Sequence, residues 1–388
     1  MRYVSMGDVP RKRHTQFYEP GGGRLAEELM GEQGFSGASS LLYHRHSPSA
    51  LSSVELVERE LPEMSANHPL TPWHLRTGNL SGGGDPVTGR VGLLASETLT
   101  INYFDADADS GLFRDSRGDE LYFVQSGRAV LETVFGALEI GAGDYALVPA
   151  STTHRVVLDR NAGPFQGLVL EARGHIDLPA RYLTQRGQLR EGVPYSERDF
   201  RPPAAPLLVD GLDVDVLVAS RSGFSCHRHA SHPFDVVGWD GSLYPFAFSI
   251  HDFEPIVGRV HQPPPVHQTF EGPGFVVCSF VPRPYDFGEG AVKIPYHHAN
   301  VDSDEVLFYV SGDFMSRAGS GIAAGSLTVH PAGFVHGPQP GSLEASMQAD
   351  RTDELAVMID TFGPLALSQA ARGVADPMYL LSWGAGRS

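Results

Sequence analysis

The sequence predicts a mainly β fold made of two similar barrels, and three observations support this prediction. Short runs of β-branched and aromatic residues recur between Gly, Pro, Asp and Ser residues, which is typical of β-sandwiches and barrels. Long helical patterns are scarce, and the best short candidate for a helix is Arg24–Met30. A pattern of Glu, Gly, Pro and His residues also occurs twice along the chain. The strand-like runs are Glu97–Tyr103, Glu120–Val124, Ala129–Thr133, Gln166–Leu170, Gly274–Phe280, Glu305–Val310 and Leu355–Ile359.

The repeated pattern keeps its spacing within each of its two segments. The first copy reads Glu120-x6-Gly127 and then Gly143-x5-Pro149-x-Ser151-x2-His154. The second copy reads Glu305-x6-Gly312 and then Gly325-x5-Pro331-x-Gly333-x2-His336. Only the connection between the segments varies, from 16 positions to 13. A variable connection between fixed segments indicates a hairpin inserted between paired strands.

These spacings resemble the two motifs of the cupin, a small jelly-roll barrel, and the resemblance implies a bicupin. The two copies cover about Asp105–Leu158 and about Ile294–Met347. A chain of 388 residues is long for one hydrophobic core, which also favours two packed units. We expect an N-terminal domain over residues 1–190 and a C-terminal domain over 191–388, with a linker near Pro179–Pro206.

The bulk composition argues against several classes of protein. The net charge of −17 would repel a polyanion, so we expect no nucleic-acid partner. Two distant cysteines, Cys226 and Cys278, provide no disulfide framework and fit a reducing compartment. No apolar segment resembles a signal peptide, and no apolar run reaches the length of about 18 residues needed to cross a membrane. We therefore expect a cytoplasmic protein with no membrane partner.

The second copy of the repeat carries a set of metal-ligand residues. A usual cupin has two His and a carboxylate in its first motif and one His in its second. Here the copy reads His298-x-Asn300-x4-Glu305, followed by His336, so Asn300 takes the place of the second His. Two imidazoles and one carboxylate leave coordination positions open, which suits Fe(II) oxygenase chemistry, whereas a structural zinc site is closed by four ligands. His297 competes with His298, but neighbours on a strand point to opposite faces, and the spacing selects His298.

The first copy lacks the residues for a metal site. Phe113, Arg114 and Asp115 precede Glu120, and none of them is a histidine. Glu120 and His154 alone cannot make a competent site, so we expect a metal-free N-terminal barrel in which both are surface or hydrogen-bonded residues. Two further pairs of histidines lack the partner motif, and we expect structural or pocket-lining roles for them. These pairs are His44 with His46 and His227 with His229.

Several longer stretches resemble the homogentisate 1,2-dioxygenase family. They are His232–Phe246, Pro295–Asn300, Gly325–Pro331 and His336–Pro338, together with Val9–Phe17 and Leu41–Pro48. The most specific stretch is HPFDVVGWDG, which begins at His232. The resemblance spans most of the chain and implies a ring-cleaving Fe(II) dioxygenase that uses O2 and assembles into trimers or hexamers. For homogentisate, the product would be maleylacetoacetate.

The resemblance also implies roles for individual residues. His298, Glu305 and His336 would bind the iron. His261 would hydrogen-bond the phenol of the substrate and move its proton, with His267 as the competing candidate for this role. The candidate substrate-binding residues are Arg317, Phe314, Tyr244 and His330. The alternatives are core packing for Tyr244, Trp239 and Phe314, and support of the metal ligands from behind for His330.

Departures from the family pattern keep other functions open. The spacing from His298 to Glu305 is one residue longer than in the family, and Phe314 and Arg317 stand where the family has a Tyr and a Lys. Gentisate, hydroquinone and related phenols are therefore alternative substrates. A non-oxidative cupin with Mn or Zn would keep the second His that Asn300 replaces. The alternative from another class is a non-enzymatic binding bicupin, which a metal assay on purified protein would distinguish.

Overall fold

The structure, a computed structural model, describes residues 3–317, 320–347 and 349–384, and it consists mainly of short strands. The first fifteen are β1 (Val4–Gly7), β2 (Ala26–Gly31), β3 (Ser39–His44), β4 (Leu51–Val57), β5 (Met64–Ala66), β6 (Trp73–Arg76), β7 (Val91–Ala95), β8 (Leu99–Ala106), β9 (Leu112–Asp115), β10 (Glu120–Ser126), β11 (Arg128–Thr133), β12 (Gly136–Gly141), β13 (Asp144–Val148), β14 (His154–Leu158) and β15 (Phe165–Ala172). They are followed by β16 (Phe200–Arg201), β17 (Leu212–Ser220), β18 (Gly223–Ser231), β19 (Val236–Gly241), β20 (Phe246–Ser249), β21 (Gln268–Gly272), β22 (Phe275–Phe280), β23 (Arg283–Pro284), β24 (Asp304–Ser311), β25 (Ser326–His330), β26 (Arg351–Thr352), β27 (Leu355–Thr361) and β28 (Ala366–Ser368).

The helices in the described ranges are all short. The α-helices are α1 (Ser342–Ser346) and α2 (Gln369–Gly373). Single 3-10 turns occur at Gln33–Phe35, Thr77–Asn79, Ala180–Tyr182, Glu197–Asp199, Ile250–Asp252, Pro264–His267, Met315–Arg317 and Tyr379–Leu381. The prediction of a mainly β fold is therefore confirmed.

The seven strand-like runs of the sequence all form strands, namely β8, β10, β11, β15, β22, β24 and β27. The predicted helix at Arg24–Met30 was wrong, because β2 occupies this segment. β2 pairs antiparallel with β3, from Ala26 opposite His44 to Gly31 opposite Ser39. Glu, Leu and Met favour a helix only weakly, and pairing with a buried neighbouring strand overrides that preference.

The N-terminal barrel consists of two packed sheets. One sheet has the order β16-β20-β13-β10-β15-β8-β7-β28-β5, and the other has the order β12-β11-β14-β9-β17-β18-β4. Apolar side chains from both sheets fill the space between them, including Tyr122 of the first sheet and Leu131 and Val156 of the second. These side chains alternate with residues on the other face of each strand, as expected for a closed sandwich.

The C-terminal barrel has one large sheet, with the order β21-β22-β27-β24-β25-β6. The short pair β23–β26 and a backbone bridge between His298 and His336 complete it. Along β24, Glu305 and Leu307 face a cavity, while Val306 and Phe308 belong to the main hydrophobic core. The ring of Phe308 lies 6.3 Å from that of Phe123 on β10, so the corresponding strands of the two barrels pack against each other.

The two copies of the sequence repeat also share their backbone geometry. The glycines that end the first segments, Gly127 and Gly312, have φ of 78° and 105°. At both positions a Cβ atom would collide with a backbone carbonyl oxygen, so the close approach of two chain segments requires glycine. Ser151 and Gly333 also share positive φ, at 64° and 75°. The expected inserted hairpin is present in the first copy as β11–β12.

Strands are exchanged between the two barrels across the expected boundary at residue 190. β6 pairs with β25 in the C-terminal sheet, whereas β17, β18 and β20 belong to the N-terminal sheets. β28, near the end of the chain, pairs with β7 and β5 of the N-terminal barrel. The expected linker near Pro179–Pro206 is packed, because Tyr182, Tyr195 and Phe200 are buried in the main core. The division at residue 190 stays a prediction.

Two expectations from composition can be compared with the structure. Cys226 and Cys278 are both free thiols, which confirms that no disulfide joins them. Among the helices of the described ranges, none has the length and apolarity needed to cross a membrane.

Candidate metal centre

Glu305, His298 and His336 converge on one point beside the large C-terminal sheet. Glu305 is the second residue of β24 and is paired with His330 of β25 on one side. His298 and His336 lie in loops whose backbones form a two-way bridge, with N···O distances of 2.8 and 2.9 Å. Their ligand-type atoms all lie within 4.8 Å of one another. The three residues that the sequence selected as metal ligands are thus brought together.

Both histidine rings are oriented by backbone carbonyl groups. Nδ1 of His298 lies 3.0 Å from the carbonyl oxygen of Tyr296, and Nδ1 of His336 lies 3.0 Å from that of Phe334. A carbonyl oxygen can only accept, so each Nδ1 carries a proton, and in the neutral ring Nε2 is the atom with the free lone pair. The Nε2 atoms lie 3.7 and 3.2 Å from the carboxylate of Glu305.

The lone pair of His336 provides a test of whether these residues fit a metal ion. Nε2 of His336 is buried, and its contact with Glu305 lacks hydrogen-bond geometry. A buried nitrogen without a partner is unfavourable, whereas a metal ion at the centre would satisfy it. Two neutral imidazoles and one carboxylate also form the donor set that suits a divalent transition metal with open positions.

His330 and Tyr379 support Glu305 from the side away from the cavity. Nδ1 of His330 lies 2.9 Å from Oε1 of Glu305, and its Nε2 lies 2.8 Å from the Tyr379 hydroxyl. Burial lowers the pKa of His330 to about 3, so this ring is neutral. Burial alone would raise the pKa of Glu305, but the three surrounding histidines hold it well below its ordinary value. Glu305 is therefore an ionised carboxylate with a fixed orientation.

Asn300 and Asp360 complete the polar surroundings of the centre. Asp360 lies opposite Glu305 on the neighbouring strand β27, and the Asn300 amide donates to it at 3.3 Å. Burial and the nearby charge of Glu305 raise the pKa of Asp360 to about 7. Asn300 thus bonds a neighbouring acid, in the sequence position where a usual cupin has another histidine.

A cavity of about 300 Å³ opens beside Glu305 and His298. This volume is at the lower end of the range for small-molecule sites and suits one aromatic ring with small substituents. Apolar wall residues include Phe280, Ile294, Leu307 and Met358. The other polar wall residues include His261, Gln262, His267, Arg283, Tyr285, Lys293, Tyr296, Asn300, Arg317, Thr352 and Glu354.

Arg317 is a buried cation in the wall of this cavity. Its Nη1 donates to the carbonyl oxygen of Gly337 at 2.6 Å, and its Nε donates to the Tyr309 hydroxyl at 3.3 Å. It forms no ion pair with any residue that the structure describes, and a buried charge without a partner is unfavourable. Burial alone would lower the pKa of Arg317, but the groups around it raise it, so the guanidinium is charged.

His261 and His267 both reach the cavity, in different states. His261 is 39% exposed, and its Nδ1 lies 2.9 Å from the carboxylate of Asp286. This carboxylate fixes the tautomer and leaves Nε2 available. His267 is buried against Phe280, and burial lowers its pKa to about 3. Only His261 therefore has the carboxylate partner that an acid–base histidine commonly has.

Three of the expected substrate-binding residues do not line the cavity. Tyr244 is buried in the main core against Trp239, and Phe314 packs against Tyr309 in a separate cluster. His330 lies behind Glu305, as described above. The lining of this cavity therefore lends no support to a substrate contact by these three side chains, which stays a prediction. Trp239 is likewise core, and it donates to the carbonyl oxygen of Phe135 at 2.7 Å.

Four residues at or near this site were not indicated by the sequence, namely Arg283, Lys293, Glu354 and Asp360. The repeat could have indicated Asp360, because Asp360 lies opposite Glu305 on the neighbouring strand, just as Glu171 lies opposite Glu120. Glu354 is flanked by Arg283 and Arg317, and burial raises its pKa against their lowering effect. Arg283 belongs to the two-residue strand β23, and Lys293 and Glu354 lie outside the strands, so no periodicity marks these side chains as ones that reach a cavity.

The N-terminal barrel holds a guanidinium group where the C-terminal barrel has its converging ligands. Nη1 and Nη2 of Arg90 lie 2.7 Å from Glu120 and 2.9 Å from Glu171. His154, the counterpart of His336, lies 3.4 Å from Glu120. Glu120 and His154 are buried rather than at the surface, and both have polar partners. Arg90 thus supplies positive charge to the paired carboxylates of this barrel.

The other histidines of interest take part in ion pairs and hydrogen bonds. His44 and His46 both contact the carboxylate of Asp235, at 2.7 and 3.0 Å. His229 lines a small polar pocket next to His44. Within the described residues, one more group has metal-ligand spacing, formed by Glu32, Asp119 and His175. Both oxygens of Asp119 already accept backbone N–H groups, from Ala150 and Ile176, so an ion-pair network accounts for this group.

The fold and this centre define a class of protein. Two cupin-type barrels, with two histidines and one carboxylate beside an enclosed cavity, form a metal-dependent bicupin of the kind that supports oxygenase chemistry. Sequence comparison then places the chain in a family.

A model of the N-terminal domain of homogentisate 1,2-dioxygenase matches residues 73–250. A protein from Saccharolobus solfataricus, provisionally named a dioxygenase, is 38% identical over 98% of this chain and 98% of its own length. The homogentisate 1,2-dioxygenases of Emericella nidulans and Caenorhabditis elegans are 26% and 29% identical over 70% and 69% of this chain. The chain covers 60% of the length of each of these two enzymes. The chain belongs to the homogentisate 1,2-dioxygenase family and is a cupin dioxygenase.

Proposed function

We propose that this protein is an Fe(II)-dependent dioxygenase that cleaves the ring of homogentisate with O2 to give maleylacetoacetate. The observation that carries the proposal is the meeting of His298, Glu305 and His336 beside a cavity whose wall also contains Arg317, a buried cation with no ion pair to the described residues. Iron held by these three residues would bring O2 and a phenolic substrate together and favour loss of the phenol proton.

Arg317 is the proposed partner of the substrate carboxylate. Its guanidinium is charged, buried and without an ion pair among the described residues, so a carboxylate in the cavity would remove an unfavourable isolated charge. Arg can hold a carboxylate through two parallel hydrogen bonds, which would fix the orientation of the ring as well as its position. The two bonds to Gly337 and Tyr309 hold the guanidinium in place for this contact.

His261 is the proposed acid–base residue. Its Nδ1 is held by Asp286, so its Nε2 can accept the phenol proton, and the carboxylate stabilises the imidazolium that results. Tyr296 packs between the rings of His261 and His298, at centroid distances of 5.3 and 6.3 Å, and so links this histidine to the metal ligands. His267 is better suited to a neutral hydrogen bond, because burial keeps it unprotonated.

Glu354 is the observation that favours a second group of substrates. An acid in the cavity wall near Arg283 and Arg317 competes with a substrate carboxylate for the same cations. Hydroquinone carries no carboxylate, and gentisate carries one directly on the ring, so both remain alternative substrates. A non-enzymatic binding role is the alternative of another class.

The experiment that tests the proposal is O2 uptake by Fe(II)-loaded protein with homogentisate, gentisate and hydroquinone in parallel. We expect stoichiometric uptake with homogentisate and a ring-opened product that absorbs in the ultraviolet. Uptake only with another phenol would retain the ring-cleaving chemistry and reject homogentisate. Purified protein that retains no metal would favour the binding role.

The cellular setting of the enzyme is also a proposal. We propose that it acts in the cytoplasm as a homotrimer or homohexamer, by similarity to its family and because both cysteines are free thiols. Light scattering coupled to size-exclusion chromatography would measure the oligomer, and a monomer at micromolar concentration would contradict this part of the proposal.

A further inference from the structure

The N-terminal barrel contains a second cavity, of about 690 Å³, larger than the one beside the metal centre. It opens between the two sheets of that barrel, next to Arg90, which precedes β7, and Glu171 of β15. Glu120 lies behind Arg90 and does not line it. Four guanidinium groups line this space, and they belong to Arg59, Arg90, Arg117 and Arg173.

Two of these four arginines are already neutralised by buried acids. Arg90 is paired with Glu120 and Glu171, and Arg117 is paired with Asp115 and Glu171. Glu171 is the only carboxylate in the cavity wall that is buried, among the described residues, and both of its oxygens are taken by these pairs. Glu171 is thus shared between Arg90 and Arg117.

The remaining two arginines have no ion pair with any residue in the described part of the chain. Arg59 donates to the carbonyl oxygen of Thr88 at 2.8 Å, and Arg173 stands beside Arg117 and Glu171. Burial, the largest cause, and the neighbouring guanidinium groups lower the pKa of both Arg59 and Arg173, while Glu171 acts in the opposite direction. Arg59 is half-buried and Arg173 is exposed. Glu58 and Glu60, on the rim, are exposed, and water screens their charges.

The same cavity wall also has an apolar surface, which is formed by a small hydrophobic cluster. Val87, Phe113, Leu217 and Phe224 all belong to this cluster and all line the cavity. The ring of Phe224 lies between two guanidinium groups, at 5.4 Å from that of Arg59 and 5.7 Å from that of Arg117. Such stacking holds the guanidinium planes in place while their N–H groups stay available.

We propose that this cavity of the N-terminal barrel binds a small organic acid, with Arg59 and Arg173 holding its carboxylate and the Phe113–Phe224 surface covering its apolar body. A free inorganic anion would use only the arginines and would leave the apolar wall in contact with water, so an organic acid fits the lining better. This inference does not depend on the reaction of the metal centre, since no residue of that centre lines the cavity.

The test is isothermal titration of the full-length protein with phenylacetate and, separately, with inorganic phosphate. Phenylacetate can also bind beside Arg317, so the comparison is made between the wild type, the double variant Arg59→Gln/Arg173→Gln and the control Arg198→Gln. Arg198 is exposed and is not part of the cavity lining. Its substitution by Gln removes one positive charge, as does each of the two substitutions in the cavity. Circular dichroism and the melting temperature check that each variant is folded.

We expect the double variant to lose one of the binding events seen in the wild type, with its Kd raised by about tenfold or more, because charge-assisted hydrogen bonds are lost. The Arg198→Gln control should match the wild type. Identical phenylacetate isotherms for the wild type and the double variant would overturn the proposal. Binding of phosphate without binding of phenylacetate would overturn the assignment to an organic acid.

Discussion

Two backbone carbonyl groups determine which ring nitrogen of each histidine faces the metal centre. Tyr296 and Phe334 each accept the Nδ1 proton of the histidine two residues later, so both Nε2 lone pairs point at Glu305. Glu305 is held in turn by His330, and His330 by Tyr379. The ligands are thus positioned before a metal binds, which lowers the entropic cost of forming the site.

The first prediction concerns Glu305. Its replacement in Glu305→Ala removes the only carboxylate of the ligand set, and two imidazoles alone hold Fe(II) weakly. We expect the iron content of purified protein to fall to background and O2 uptake to be lost. Elemental analysis by mass spectrometry measures the first effect, with the exposed Glu289→Ala as control. Full iron occupancy in Glu305→Ala would reject this ligand assignment.

The second prediction separates His261 from His267. His261→Ala should keep its iron while kcat falls about 10²–10⁴-fold, the usual contribution of a general acid–base residue. Asp286→Asn should lower kcat by a smaller factor, since it weakens the orientation of that ring and the stabilisation of its imidazolium but leaves the base itself in place. Steady-state O2 uptake provides both values. If kcat is unchanged in His261→Ala but falls in His267→Ala, the proton-transfer role belongs to His267.

The two barrels carry paired acids on equivalent strands but surround them with different residues. In each barrel, a glutamate and a second acid lie opposite each other on neighbouring strands, as Glu120 and Glu171 on β10 and β15, and as Glu305 and Asp360 on β24 and β27. In the N-terminal barrel, Arg90 lies between the acids. In the C-terminal barrel, histidines and Asn300 surround them, so the same strand geometry provides either a fixed cation or a place for a metal ion.

The third prediction tests the role of Arg90 in its barrel. Arg90→Met would leave Glu120 and Glu171 buried next to each other with less positive charge, and breaking such buried pairs destabilises a protein by about 3–5 kcal/mol. Chemical denaturation followed by tryptophan fluorescence measures the change. The exposed pair of Arg228 and Asp215 provides the control, since water screens this pair and Arg228→Met should leave the free energy of unfolding close to that of the wild type. Equal small effects in both variants would contradict the role of Arg90.

The fourth prediction concerns the attachment of β3, where His44 contacts Asp235 and Glu28. Burial alone would lower the pKa of His44, but these two acids raise it to about 9. A raised pKa means that the folded state binds the proton more tightly, so this contribution to stability is complete below about pH 6.5 and is lost as the pH rises through 9.

The free energy of unfolding should therefore fall by about 1–3 kcal/mol between pH 6.5 and 9. His44→Gln should be less stable at pH 6.5 and should show a flatter profile over this range. Urea denaturation at several pH values gives the curve. A wild-type profile that is as flat as that of His44→Gln would show that these contacts do not depend on the charge of His44.

The whole molecule is held together by strands that each barrel provides to the other. β6 completes the C-terminal sheet, while β17, β18, β20 and β28 complete the N-terminal sheets. The main hydrophobic core also spans both barrels, with Phe123 and Phe308 packed across the contact. Cutting the chain at residue 190 would leave open sheet edges and exposed core on both pieces.

The fifth prediction follows from this exchange. Fragments 1–190 and 191–388, expressed separately, should not fold cooperatively, whereas the intact chain should unfold in a single thermal transition. Circular dichroism, gel filtration and limited proteolysis of each fragment measure the outcome, and co-expression of both fragments tests whether they complement each other. A soluble fragment 191–388 with a sharp melting transition would show that the C-terminal half is an independent domain.

The local part of this architecture could be predicted from the sequence. The seven strands, the mainly β class and the repeat of turns were indicated by spacing and pattern, since a turn with positive φ favours glycine and a strand shows alternation. The family was indicated by the resemblance of longer stretches. The ligand set His298, Glu305 and His336 was indicated in the same way, and its chemical role stays a proposal. These features depend on residues that are close in sequence.

The tertiary structure decided the features that depend on distant residues. Strand pairing turned Arg24–Met30 into a strand, placed Tyr244 and Phe314 away from the cavity and brought Glu354 and Arg283 into its wall. It also placed Arg90 between two acids that lie on different strands, β10 and β15. A sequence records which side chains a strand or turn can carry, but only the folded chain decides which distant side chains share one cavity, because packing and burial sum over the whole molecule.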